Sequence, residues 1–181
     1  MVEIREIDAS RSEDANLKNQ PFAMWGRMIP ALQEGQWSYR IQRWEREEEM
    51  CFPDFPYCAG QEKGFFLGAY EGDVCIGVAV LRPYLFRYLY LEDLKVARSH
   101  RRQGVGGALI EACMKKAEEE GMRGVYTVGQ DDNLSACLFY LDHGFEIGGF
   151  DNRSYRGTSQ EGKADIYFYR DLSAGDRRTE K

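Results

Sequence analysis

The residues with the clearest chemistry lie in the run Val96-Ala-Arg-Ser-His-Arg-Arg-Gln-Gly-Val-Gly-Gly-Ala-Leu-Ile110. Glycines at 104, 106 and 107 let the backbone approach a ligand closely. Arg101 and Arg102 stand just ahead of them, and an amphipathic pattern follows. A helix N-terminus offers unpaired N–H groups and partial positive charge, so this turn suits a phosphate or diphosphate. Two other phosphate loops are excluded. The dinucleotide fingerprint needs a third glycine where Leu109 stands, and the P-loop needs a Gly-Lys-Ser/Thr that is absent. Taken alone, the pattern also fits a surface loop before a helix.

A second group is Glu92 and Asp93, adjacent acids in an otherwise apolar run. Buried carboxylates are costly unless paired or used. In a regular strand the two point to opposite faces, Glu92 with Tyr88, Tyr90 and Leu94, and Asp93 with Leu91 and Lys95. A third group is Asn133-Leu-Ser-Ala136 with Tyr140. Asn133 or Asp132 is placed to cap a helix, and Tyr140 falls on that helix's apolar stripe. Two histidines, His100 and His143, and five cysteines without a CxxC pair leave no basis for a metal site.

The elements that must position these groups follow from periodicity and turn signals. Val2–Ile7 reads as a strand, and residues 8–20 as a short helix and loop. Pro21–Pro30 is an apolar patch bounded by prolines, fit to cover a core edge or wall a pocket. Gly35 opens an extended piece, and Arg43–Met50 reads as a helix or a solvated extension. Residues 64–81 form a hairpin about Glu71-Gly-Asp73, and Leu85–Ala97 is a central strand. A helix over Gln103–Glu120 carries Val105, Ala108, Leu109, Ala112 and Cys113 on one face. A strand at Arg123–Val128, a helix at Leu134–His143, and strands at Phe145–Phe150 and Ala164–Tyr169 complete an α/β order. Residues 1–172 are expected to form one domain, with about 8–62 on the substrate side and 173–181 as a flexible charged tail.

Composition narrows the function. The chain has 181 residues, 43% of them apolar, enough for a real core. Its 24 basic and 30 acidic residues give a net charge of −6, which argues against general nucleic-acid binding and suits a cationic small molecule. No apolar run reaches membrane-spanning length, no secretory pattern opens the sequence, and the scattered cysteines read as reduced thiols. A cytoplasmic protein, monomer or homodimer, without membrane partner is expected.

The motif Arg101-x-x-Gly104-x-Gly106 resembles the acetyl-CoA signature of the GNAT superfamily of N-acetyltransferases. Asn133-x-x-Ala136-x-x-x-Tyr140-x-x-x-Gly144-Phe145 resembles the second signature of the same superfamily. A closer likeness runs from about residue 19 to 170. Asn19-Gln-Pro-Phe22, Gly26-Arg27-x-Ile29-Pro30, Trp37, Glu92-Asp93-x-x-Val96, Gln130-Asp-x-Asn133, Ile147-Gly148-x-x-Asp151 and Ile166-x-x-Tyr169 resemble the streptothricin acetyltransferases. Where that family carries a Glu before Thr-Gln-Asp, this chain has Val128.

The resemblance implies the GNAT fold, a mixed and mostly antiparallel sheet flanked by helices, and acetyl-CoA as cofactor. It implies acetylation of a primary amine, the β-lysine amine of streptothricin, by direct attack in a ternary complex. Cofactor contacts are then expected from Leu94, Lys95, Val96, Arg101, Arg102, Gln103, Gly104, Val105, Gly106, Gly107, Ala108, Asn133, Ala136 and Tyr140. Tyr140 is the expected proton donor to the leaving thiolate and Glu92 the expected base, with Asp93 a structural or orienting partner. A salt bridge from Asp93 to a nearby Lys or Arg is an equal reading, and Asn133 either meets the pantetheine arm or simply caps its helix. Substrate contacts are expected from 21–30, Trp37, Tyr39, the acids around 45–54 and the loop 151–163. The competing functions are a protein or peptide N-acetyltransferase and a non-catalytic acetyl-CoA-binding module.

Overall fold

The computed structural model describes residues 2–83 and 86–173. In chain order it contains β1 (Val2–Glu6), a 3-10 helix (Ala9–Asn16), β2 (Phe22–Gln33) and β3 (Gln36–Met50). There follow β4 (Phe65–Glu71), β5 (Val74–Pro83), β6 (Tyr88–Val96), a 3-10 turn (Arg98–His100), α1 (Val105–Glu119), β7 (Gly124–Gln130), α2 (Leu134–Asp142), β8 (Glu146–Asp151) and β9 (Asp165–Asp171). The tail expected over 173–181 lies, from residue 174 on, outside the described residues. Two compact units are present, one drawn from Met1–Gln20, Phe52–Val125 and Asp171–Lys181, the other from Pro21–Cys51 and Tyr126–Arg170.

In the first unit β1, β4, β5 and β6 form consecutive antiparallel pairs. Val78, Val80, Leu81, Leu89 and Leu91 are buried on these strands, and Leu109, Ile110, Cys113 and Ala117 of α1 are buried with them. Gly77 permits that packing: a Cβ there would lie 3.1 Å from Leu109 Cδ1 and 3.2 Å from Val105 Cγ1. The buried stripe of α1 is turned from the expected one. Ile110 and Met114 are buried, whereas Ala108 is exposed. The larger side chains win the buried positions because they remove more apolar area from water.

In the second unit β2 and β3 form a long antiparallel hairpin, and β7, β9 and β8 lie in that order. Arg43–Met50, read above as helix or extension, is strand. The reason is local: Glu34 and Gly35 both have positive φ, 50° and 79°, a turn whose twist returns the chain antiparallel onto β2. Cross-strand pairing then outweighs the good intrinsic helix propensity of Glu and Arg. The apolar patch 21–30 is likewise most of β2, with Met24 and Met28 buried. Trp25 Nε1 donates to Ser135 Oγ at 2.8 Å, fastening β2 to the start of α2.

Candidate active site

The basic glycine turn leads into α1 as its residue types require. Arg102 and Gly104 both have positive φ, 60° and 82°, and α1 begins at Val105. Gly104 is the N-cap residue and supplies no side-chain cap. Ala108 N–H donates to Gly104 O at 3.0 Å, so the N–H groups of Val105, Gly106 and Gly107 precede the helix's own ladder. A Cβ at Gly104 would meet nothing within 4 Å, so the space over this end of the helix is open. Open space, N–H donors and the helix dipole together fit a diphosphate.

The two arginines divide. Arg101 Nε donates to Val96 O at 3.1 Å, and its Nη2 lies 3.5 Å from Gln20 O. Gln20 also accepts the Arg98 N–H through Oε1 at 2.6 Å. Arg101 therefore braces the turn against the end of β6, while Arg102 is exposed at its outer corner.

The acids of β6 sit on an irregularity. Val80 pairs with Asp93 and Leu81 with Leu91, so Glu92 is the extra residue of a bulge. Up to the bulge the alternation is regular: Leu89 and Leu91 are buried, and Glu92 is exposed. Beyond it the alternation resumes, and Asp93 and Lys95 share a face with Asp93 Oδ2 2.9 Å from Lys95 Nζ. The salt-bridge reading of Asp93 is thus present in the structure. Glu92 Oε2 accepts from Arg82 Nε at 2.7 Å, and Arg82 Nη2 donates to Glu62 Oε2, also at 2.7 Å. Burial opposes the charge on Arg82, but the bonds to Glu92 and Glu62 outweigh it and raise its pKa. Tyr57 donates its hydroxyl to Asp93 Oδ2 at 3.1 Å. Leu94, Lys95 and Val96 pair with Ala79, Val78 and Gly77, so β6 stays in register with β5 to its end.

The second unit holds the other motif. Asn133 Oδ1 accepts the Ala136 N–H at 3.3 Å, so Asn133 caps α2. Tyr140 is 9% exposed, its ring packed against Phe139, Phe145 and Phe168 with centroids 5.6, 5.5 and 5.6 Å away. The same unit contains a cavity of about 430 Å³ where Arg27 and Met28 of β2, Gln42 of β3, Asp131, Arg156 and Lys163 meet. The cover segment and the 151–163 loop therefore share one wall, whereas Trp37, Tyr39 and the acids 45–54 do not line it. Asp131 is 4% exposed; burial raises its pKa against the Ala164 N–H and Arg27, which lower it. The charges are mixed, since Arg27 lies 3.6 Å from Asp131 and Lys163 lies 3.3 Å from Asp132. The cavity by itself does not select a cation.

Residues 29–145 match the acetyltransferase (GNAT) family model. Streptothricin acetyltransferase A of Bacillus subtilis is 34% identical over 164 residues, covering 87% of this chain and 92% of that protein. The chain belongs to the GNAT family of acetyltransferases. A Bacillus anthracis protein assigned as a streptothricin acetyltransferase, crystallised in complex with acetyl coenzyme A, superposes with a TM-score of 0.85 at 26% identity, covering 96% of this chain and 99% of that one. A nourseothricin acetyltransferase shares the fold, with a TM-score of 0.78 at 23% identity over 95% of this chain and 99% of that one.

Around this GNAT core the structure adds three residues that the sequence did not single out: Tyr57, Glu62 and Arg82 join the β6 acids. Asp132, a cap candidate in the sequence, is instead buried beside Lys163, and Asp131 is buried beside Arg27. Arg82 has one legible cue, its place at the end of β5 before Pro83. Tyr57 has none, because its partner lies 36 positions away. Among the described residues no group of histidine, cysteine and acid side chains could hold a metal, and no helix is long and apolar enough to cross a membrane.

Proposed function

We propose that this N-acetyltransferase moves the acetyl group of acetyl-CoA to a primary amine of a small cationic acceptor, namely streptothricin at its β-lysine amine. The observation that carries the reading is the uncapped, open N-terminus of α1, whose N-cap Gly104 lies eight residues beyond the end of the strand that bears Glu92 and Asp93. The main-chain N–H groups of Val105, Gly106 and Gly107 hold the diphosphate, with Gln103 and Arg102 beside it and Ala108, whose N–H closes the first helical bond, at its edge. Arg101 keeps the turn in shape through Val96 O. Acetyl-CoA, when bound, supplies an activated acetyl thioester.

The acceptor has an ordinary amine pKa of about 10.4 and arrives protonated at neutral pH. Glu92 takes that proton, and Asp93 orients the ammonium. Each has one oxygen committed, Glu92 Oε2 to Arg82 and Asp93 Oδ2 to Lys95 and Tyr57. A main-chain N–H within Leu94 to Val96 polarises the carbonyl under attack. Tyr140 returns a proton to the departing sulfur; its ring is held by Phe139, Phe145 and Phe168. Asn133 acts by capping α2, which fixes the helix carrying Ala136 and Tyr140. Support for the acceptor class comes from the relatives named above and from the net charge of −6.

The test is thiol release from acetyl-CoA with a panel of amines that includes streptothricin, lysine, a polyamine and an N-terminal peptide. Streptothricin should raise the rate at least about tenfold over hydrolysis, and the product should carry one acetyl group. Equal rates across the panel would remove the acceptor assignment. Tyr140→Phe should slow turnover by about 10²–10⁴ while leaving acetyl-CoA affinity unchanged.

A further inference from the structure

We infer that Tyr57 is a positioning residue for the acid pair of β6, fixing Asp93 through its hydroxyl and Glu92 through the arginine over its ring. The inference rests on the reading of Glu92 and Asp93 as the acids that meet the acceptor amine.

Tyr57 lies in a segment without regular secondary structure, between Met50 and Phe65, yet it is held at every polar group. Asn16 clasps its backbone from both sides: Tyr57 N–H donates to Asn16 Oδ1 at 2.8 Å, and Asn16 Nδ2 donates to Tyr57 O at 3.0 Å. The ring meets Phe66 edge-on at 5.9 Å, beside a buried cluster of Ile7, Ala15, Val78 and Val80. Two cations face it, Arg82 with Cζ 5.6 Å from the ring centroid and Lys95 with Nζ 5.7 Å away. A loop side chain fixed at its backbone, ring and hydroxyl has lost nearly all its freedom, and a wholly exposed tyrosine would gain nothing from that order.

The contacts converge on the two acids. The hydroxyl of Tyr57 and the ammonium of Lys95 meet the same oxygen, Asp93 Oδ2, at 3.1 and 2.9 Å. The carboxylate is thus held by one oxygen from two sides. Arg82, lying over the ring, takes Glu92 with Nε and Glu62 with Nη2. One aromatic side chain thus underlies both carboxylates. The groups that meet Asp93 are the Tyr57 hydroxyl of the loop and the Lys95 ammonium of β6; Arg82 and Glu92 act electrostatically on Tyr57, and Asp54 interacts with Lys95. Burial, then Asp93 and Glu92, push the Tyr57 phenol well above its ordinary pKa, so it remains a donor at all working pH.

The test is Tyr57→Phe, which keeps the ring, its packing and both cation contacts and removes only the donor. Two readouts are taken on the full chain: kcat and KM with the best amine of the panel, and the denaturant midpoint, each measured also in Asp93→Asn and in the double variant. Loss of the donor should lower kcat about tenfold, and in the Asp93→Asn background the same change at Tyr57 should lower it no further. Acetyl-CoA affinity should stay within error, whereas a merely structural role would lower kcat equally in both backgrounds. Tyr57→Leu should in addition cut kcat/KM at the optimum at least about tenfold, because Arg82 loses the surface it rests on. If Tyr57→Phe leaves kcat in place, or lowers it as much in Asp93→Asn as in the native sequence, the inference is wrong. If Glu92→Gln and Asp93→Asn leave turnover intact, the underlying reading of the acids fails instead, and non-additive denaturant midpoints of Tyr57→Phe and Asp93→Asn still report whether Tyr57 holds Asp93.

Discussion

Arg101 Nε donates to Val96 O at 3.1 Å, tying the glycine turn to the last residue of the strand before it. Arg102, one residue on, has positive φ and an exposed side chain. Neighbouring arginines of one motif thus have separable duties. Arg101→Ala should destabilise the protein by about 1–3 kcal/mol, the cost of a lost charge-assisted bond, and lower acetyl-CoA affinity through the loosened turn. Arg102→Ala should leave the denaturant midpoint unchanged and weaken acetyl-CoA about tenfold in calorimetry. Equal effects on stability would show that the two are not divided.

Gly104 makes a second separation possible. Its φ of 82° is strained for any residue with a Cβ, although nothing stands within 4 Å of that position. Gly104→Ala should cost about 1–2 kcal/mol from backbone strain alone. The new methyl occupies the open space over the helix end, so acetyl-CoA affinity should fall by more than the stability loss explains. Gly104→Asp supplies a side-chain cap and places a negative charge where the diphosphate would sit. That variant should bind acetyl-CoA most weakly of the set.

Acid should release the loop that carries Tyr57. The bond from Arg82, aided by the Cys58 N–H, holds Glu62 below its ordinary 4.5. A carboxylate whose folded pKa is depressed stabilises the fold above its unfolded pKa, and the gain is lost as pH falls through the folded value. The window therefore opens at about 4.5 and extends downward. In Glu62→Gln this part of the pH dependence should vanish, read as hydrogen exchange at Cys58 and Gln61 between pH 5 and pH 3 (about the range set by ordinary carboxylates).

Thiol chemistry reports burial. Cys51 and Cys58 are exposed and should react promptly with a disulfide reagent. Burial raises the Cys75 thiol, and pushes Cys113 and Cys137 up to about 12, the last helped by Asp131 and Asp132. Thiolate is the reactive form, so Cys113 and Cys137 should label only as the protein unfolds. Five fast thiols in the native protein would contradict the packing of α1 and α2.

Local patterns carry what local physics determines. Glycines with φ near 80° before an amphipathic run, an Asn cap three residues ahead of Ala136, and a Gly-Asp turn between apolar runs each act within a few residues. The turn of α1, the cap of α2 and the hairpin of β4 with β5 were therefore legible in the sequence, and so was membership of the GNAT family through its paired motifs. The strand state of Arg43–Met50 was not, because a charged stretch reads as helix or extension until a turn at Glu34-Gly35 places it against a partner strand. The state of the β6 acids was out of reach for the same reason. The bulge at Glu92 depends on register with β5, and the partners Tyr57, Glu62 and Arg82 come from 10 to 36 positions away. Sequence spacing sets which chemistry is possible, while the position of a charge relative to its counter-charge is set by long-range packing.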